Sequence, residues 1–142
     1  LWTHVVGVSI GGTQVNYAVS NVSTSGKVFI MNQASLVFTD SGAAYTRTIQ
    51  TSNRDEGTSR MKFYEWLDIV GDREASTSTE TLSKSDDDYD TWTVVGTVDM
   101  ADGGGRITRL GSSKERAWKL TNAAATPSRL RAVLEGSMTV GT

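Results

Sequence analysis

The alternation of apolar and polar positions is cleanest over residues 61–70, MKFYEWLDIV. Met61, Phe63, Leu67 and Ile69 fall on one side, with Glu65 among them. Lys62, Tyr64, Trp66, Asp68 and Val70 fall on the other. Side chains of a strand alternate between its two faces, so the pattern predicts a β-strand with one core face and one amphipathic, aromatic face. Read as a helix, the same residues scatter Lys62, Glu65 and Asp68 among the apolar positions, and Gly71 closes the stretch. A second run, LSKSDDDYDTWTVVG over residues 82–96, carries an acidic turn, a tryptophan and a further strand. These two runs form the centre of the chain.

On the N-terminal side the pattern predicts strands over residues 1–10, 14–19, 27–31 and 35–39. Gly11-Gly12, the turn-rich NVSTSG and Asn32-Gln33-Ala34 join them. Short strands at regular spacing predict an antiparallel meander resembling one propeller blade. Residues 40–44 mark a boundary. Beyond it come a strand over 43–51 with one mostly polar face and a charged loop over 52–59. A polar stretch over 73–79 leads to strands over 81–85 and 91–99. Three consecutive glycines make 101–105 a flexible turn, and closing strands run over 106–110, 116–120 and 129–140. Ala123, Ala124 and Ala125 could start a single turn, which Pro127 ends. The expected fold is all-β: a short antiparallel meander over 1–44, the end of a larger upstream β domain, followed by a β-sandwich over 45–142. The chain opens at Leu1 inside a patterned stretch, and we expect it to be a piece of something longer.

Composition narrows the functional classes. The 142 residues suffice for one good core, and 37% hydrophobic content is too apolar for a disordered chain. A net charge of -2 gives no electrostatic case for binding nucleic acid or an anionic membrane, and no membrane partner is expected. The absence of cysteine excludes disulfides, thiolate metal sites and cysteine nucleophiles, and it fits synthesis in a reducing cytoplasm.

Asp86, Asp87, Asp88 and Asp90 form the one dense carboxylate cluster. Calcium takes several oxygen ligands, and Asp86, Asp88 and Asp90 are the set that would supply them. The EF-hand pattern is not met, however. Asp is favoured at solvated hairpin tips for its local hydrogen bonds, so no metal is expected. His4 is the sole histidine and has no acid or nucleophile placed near it by motif. No G-x-S-x-G elbow appears, and Gly103-Gly104-Gly105 lacks the Lys-Ser/Thr of a phosphate loop. Glu65 and Asp68 fall on opposite faces of one strand and make a poor glycosidase pair. No catalytic residue, no cofactor and no enzymatic activity is expected. Trp2, Trp66, Trp92 and Trp118 remain. In RAWKL, Arg116, Trp118 and Leu120 share a face opposite Ala117 and Lys119. Tyr64, Trp66, Trp92, Arg116 and Trp118 are the expected core or interface anchors, because buried cores and subunit interfaces favour aromatic residues and arginine.

Three segments carry a resemblance. They are YTRTIQTSNRDEGTSRMKFYEWLDIVGD (45–72), LSKSDDDYDTW (82–92) and GGGRITRLGSSKERAWKLTNAA (103–124). Together they resemble a family of structural proteins of tailed bacteriophages, the tail nozzle, stopper and related head-to-tail connector proteins. The second segment is also similar to the Ser-x-Asp-x-Gly-x-Thr-Trp hairpin of sialidases. Asp88 and Tyr89 stand where glycines are usual, which predicts a longer or differently turned hairpin. The resemblance implies a non-enzymatic virion protein, assembled in the host cytoplasm and located in the tail or connector. It would be one subunit of a ring that contacts its own copies and neighbouring tail or connector proteins, with non-specific passage of DNA through the channel. The alternative reading is a carbohydrate-binding β-sandwich domain of a receptor-binding tail fibre, which requires an exposed aromatic platform built from Tyr64 and Trp66. A glycosidase fragment would require several such hairpins, and the sequence carries one.

Overall fold

The computed structural model describes residues 2–10, 13–20, 28–31, 39–40, 43–136 and 138–141. Apart from one short 3-10 turn, its regular structure is β-strand, and the fold is all-β. The backbone divides into two compact units, Leu1–Ala43 and Ala44–Thr142.

In the first unit, β1 (Trp2–Ile10), β2 (Thr13–Ser20) and β3 (Val28–Met31) form an antiparallel meander in that order. His4 lies opposite Val19, and the register slips between Trp2 and His4. Ala18 is fully buried, while Val6, Val8 and Val28 are exposed. Most of the strand expected over 35–39 lies outside the described residues. Its last residue, Thr39, opens β4 (Thr39–Asp40), which pairs with β5 (Ala43–Ala44).

The second unit is a two-sheet sandwich. One sheet has the order β6 (Arg47–Gln50), β11 (Ala117–Asn122), β8 (Thr79–Ser85) and β9 (Thr93–Asp99). The other places β7 (Lys62–Gly71) between β10 (Gly104–Ser113) on one side and β12 (Leu130–Glu135) with β13 (Met138–Val140) on the other. All of these pairings are antiparallel. The chain crosses from β9 to β10 through a 3-10 turn, Met100–Asp102, whose N-terminal N–H of Ala101 is capped by Asp99 at 2.9 Å. That crossover closes one side of the sandwich. Strands β6 and β12 are the edges of the other side. Between the sheets lies the core, with Leu67 and Ile69 of β7, Leu82 of β8, Leu110 of β10 and Leu120 of β11.

Several elements depart from the sequence expectation. The strand expected over 43–51 is interrupted at Tyr45 and Thr46, giving β5 and β6. The glycine run 103–105 is not simply a turn, since Gly104 and Gly105 open β10. Gly104 has φ 107, and a Cβ there would lie 1.9 Å from the Ile69 carbonyl oxygen, so only glycine lets β10 start against β7. The closing strand over 129–140 is split into β12 and β13 around Gly136.

The face assignment of β7 is half corrected. Leu67 and Ile69 are buried as expected, but Met61 and Phe63 are exposed, and Lys62 and Tyr64 are buried in their place. The buried face therefore changes over within Glu65 and Trp66. Opposite Glu65, β10 carries a bulge at Arg109 and Leu110, where Arg109 has φ 61. A bulge bends its strand and increases the local twist. On the other edge, β7 exchanges its partner at the same place, from β13 beside residues 62–64 to β12 beside residues 67–71. The Gly136 N–H bridges the gap by donating to the Trp66 carbonyl at 2.9 Å. A strict period of two cannot persist through this twist.

Candidate functional site

Arg116 begins the β11 end of the sandwich. Its main chain exchanges both hydrogen bonds with Arg54, each at 3.0 Å, and its side chain is then carried into the core. The guanidinium is 1% exposed. It donates to Asp86 through two nitrogens, at 2.6 and 2.9 Å, and to the Leu110 carbonyl at 2.9 Å. Its Cζ lies over the Tyr64 ring, 4.3 Å from the centroid, and 5.1 Å from that of Trp118. Tyr64 and Trp118 meet edge to face with centroids 6.0 Å apart. Lys84 joins the group, 3.0 Å from Asp86 and 3.2 Å from the same Leu110 carbonyl. Burial pushes the Asp86 carboxyl up, but the hydrogen bonds and charges of Arg116 and Lys84 outweigh it and hold the group below the usual carboxylate range. Burial likewise raises the Tyr64 phenol. A second buried cation, Lys62, donates to the carbonyls of Thr58, Arg60 and Lys114, fastening two loops to β7. These cations are held by groups the fold itself supplies, which is the condition for burying a charge at tolerable cost.

The acidic hairpin tip is built by Ser85, Asp87 and Thr91. Asp87 accepts from the Ser85 hydroxyl at 2.7 Å, from the Thr91 N–H at 2.9 Å and from the Thr91 hydroxyl. The Tyr89 N–H donates to Ser85 Oγ at 3.0 Å. Hydrogen bonds from Thr91 hold the Asp87 carboxyl below its ordinary range. Asp88 and Tyr89 stand at the turn of this hairpin. Both take the left-handed conformation that glycine would supply, with φ 53 and φ 75. Tyr89 has a use for its side chain that glycine lacks. Its phenol oxygen accepts the Asn53 N–H at 2.5 Å, and its ring packs 6.1 Å from Trp92. Asp86, Asp88 and Asp90 do not converge. Asp86 is turned onto Arg116 and Lys84, and among the described residues no three potential ligands could share a metal ion.

The other aromatic positions are distributed. Trp66 is half-buried on the outer face of β7, with Arg106 stacked 3.8 Å above its ring. Arg106 also holds Asp68 bidentately at 2.7 and 2.8 Å. Trp92 is half-buried beside the hairpin, with the Lys119 ammonium 3.9 Å from its ring centre. Trp118 is half-buried and packs on the core. Tyr64 is buried and Trp66 is covered by Arg106, so the platform that the carbohydrate-binding alternative places on these two residues is not formed.

Sequence reasoning missed a cleft. Between edge strands β6 and β12 the sheets part to leave a cavity of about 280 Å³. Leu67, Leu82, Leu120 and Trp118 form its floor, Ile49 and Val133 its sides, and Arg54 and Glu135 add charge to its lining. Burial raises the Glu135 carboxyl, with the negative charge of Glu56 adding to this, while a hydrogen bond with Trp118 and the charges of Arg116 and Arg54 oppose it. A smaller hollow of about 80 Å³ also uses Ile49 and Leu120. Beside it Glu80 is buried and accepts from Asn122 at 2.9 Å and from Ser128. The cleft could take an apolar side chain or ring, and Glu135 is the one acid in its lining.

The fold and its sites define an all-β sandwich module, braced by two buried cations and open along one side. Comparison with protein-family models, curated proteins and solved structures found no match to this chain.

Proposed function

We propose that this chain is a structural, non-enzymatic component of a bacteriophage virion, a ring subunit of the tail or head-to-tail connector that acts through contacts with copies of itself and with neighbouring tail proteins. The observation that carries the assembly part of this reading is the set of large apolar side chains left on the edge strands. Ile49 on β6 is 58% exposed, Val94 on β9 is 60% exposed and Leu134 on β12 is 52% exposed. Edge strands of an isolated sandwich are ordinarily blunted by charge, because unpaired strand edges and exposed apolar rows invite association. Here three of the edges carry a large exposed apolar side chain among their polar and charged ones. The virion assignment rests on the resemblance of residues 45–72, 82–92 and 103–124 to the phage tail and connector proteins.

Negative-stain electron microscopy of the purified chain tests the proposal. Closed rings of uniform subunit number are the expected result. A field of single small particles at tens of micromolar protein would overturn it.

A further inference from the structure

Resting on the reading above that the chain self-associates, we propose that the contact is head-to-tail, with the Phe63 side chain of one copy entering the cleft between β6 and β12 of the next. Phe63 is 49% exposed, and Met61, just before β7 and two residues away on the same side, is 40% exposed. Its neighbours Lys62 and Tyr64 both turn inward, so the Phe63 ring projects from the outer side of the sheet. The ring is not loose. A Cβ on Gly141 would stand 3.5 Å from Phe63 Cε2, which places the ring against the β13 end. The cleft is a matching recess. Its volume of about 280 Å³ and its leucine, isoleucine, valine and tryptophan walls exceed what a phenyl ring needs, given that an apolar cavity of about 150 Å³ takes up benzene.

Geometry decides the kind of contact. The Tyr64 ring meets Trp118, which lines the cleft, while the adjacent Phe63 leaves β7 in the opposite direction. Projection and recess therefore lie on opposite sides of one sheet, and Phe63 cannot fill the cleft of its own chain. Two different patches that fit one another make a heterologous contact, which repeats from copy to copy and closes as a ring when the rotation allows. The charges agree with the docking. Arg60 and Glu65 flank Phe63, Arg54 and Glu135 line the cleft, and none of the four enters a salt bridge among the described residues. Each patch thus carries one charge of each sign for the other to meet, although in the cleft Glu135 already has a hydrogen bond with Trp118 and the attraction of Arg54.

Two exposed-site variants of the full chain test this, with light scattering as the readout. Phe63→Asp removes the projection and Val133→Glu spoils the recess. Each alone is expected to be monomeric with an unchanged thermal midpoint. An equimolar mixture is expected to form a species of twice the monomer mass, because the intact Phe63 of the Val133→Glu chain can still enter the intact cleft of the Phe63→Asp chain. A mixture that stays monomeric overturns the head-to-tail contact. Oligomers that persist in both variants overturn it too, while leaving self-association through another surface standing. A monomeric unaltered chain overturns both the contact and the reading on which it rests.

Discussion

The pair formed by Arg116 and Asp86 makes an asymmetric prediction. Removing Asp86 leaves a guanidinium that is 1% exposed, with one carbonyl as its remaining acceptor. Removing Arg116 leaves a carboxylate that is 30% exposed and still 3.0 Å from Lys84. Breaking a buried pair at one partner costs about 3–5 kcal/mol, chiefly for the charge left behind, whereas apolar replacement of such groups is often close to neutral. Asp86→Ala should therefore lose about 3–4 kcal/mol, held to the lower part of that range by the partial exposure of Asp86. Arg116→Met keeps the stem that covers Tyr64 and should lose only about 1–2 kcal/mol, and the double variant should resemble it. Urea unfolding at pH 7 reads this directly. With a slope of about 1.5 kcal/mol/M, Asp86→Ala lowers the midpoint by roughly 2 M and Arg116→Met by roughly 1 M. The Asp86 carboxyl is held below its usual range, so its contribution is complete above about pH 4 and disappears as the pH falls through the lowered value. The difference between the unaltered chain and Asp86→Ala should accordingly shrink near pH 2. Equal losses for the two single variants at pH 7, or a larger loss for Arg116→Met, would refute the assignment of the cost to the stranded guanidinium.

Other positions give sharper local tests. A Cβ on Gly136 would lie 2.1 Å from Trp66 Cε2, so Gly136→Ala should cost about 1–3 kcal/mol in chemical unfolding and alter the tryptophan emission. Arg109 is exposed at φ 61, and Arg109→Gly should raise stability by about 0.5–1 kcal/mol in the same experiment. Asp87→Ala removes the acceptor that ties Ser85 to Thr91 and should lower the thermal midpoint at pH 7 by more than Asp90→Ala does. The raised Glu135 carboxyl favours the folded chain when protonated, and this contribution is lost as the pH rises through the folded-state value. Glu135→Gln should therefore raise the thermal midpoint at pH 7 and leave it unchanged near pH 3.5.

The second half of β7 was legible because Leu67 and Ile69 keep one phase against an ordinary ladder. Met61 and Phe63 were misplaced because the phase change depends on a bulge in β10 and on the exchange of β13 for β12, and neither leaves a mark within residues 61–70. Arg116 could be put on the same face as Trp118 from alternation alone. Its partner Asp86 could not be named, since only the folded chain brings together residues 30 positions apart. The hairpin spacing from Ser85 to Thr91 was visible, whereas Tyr89 in a left-handed conformation contradicts propensity and becomes intelligible once its bond to Asn53 is seen. The cleft was out of reach for a similar reason. Ile49 sits in a stretch that reads as mostly polar, and Val133 lies near the split in a run that reads as continuous. Only the separation of the β6 and β12 edges turns them into walls.

The central claim is that this sandwich functions by assembling, and the mass of the purified chain in solution tests it most directly. Light scattering across a hundredfold range of concentration should reveal one discrete species at an integer multiple of 15.3 kDa. A mass of 15.3 kDa at every concentration would contradict the account.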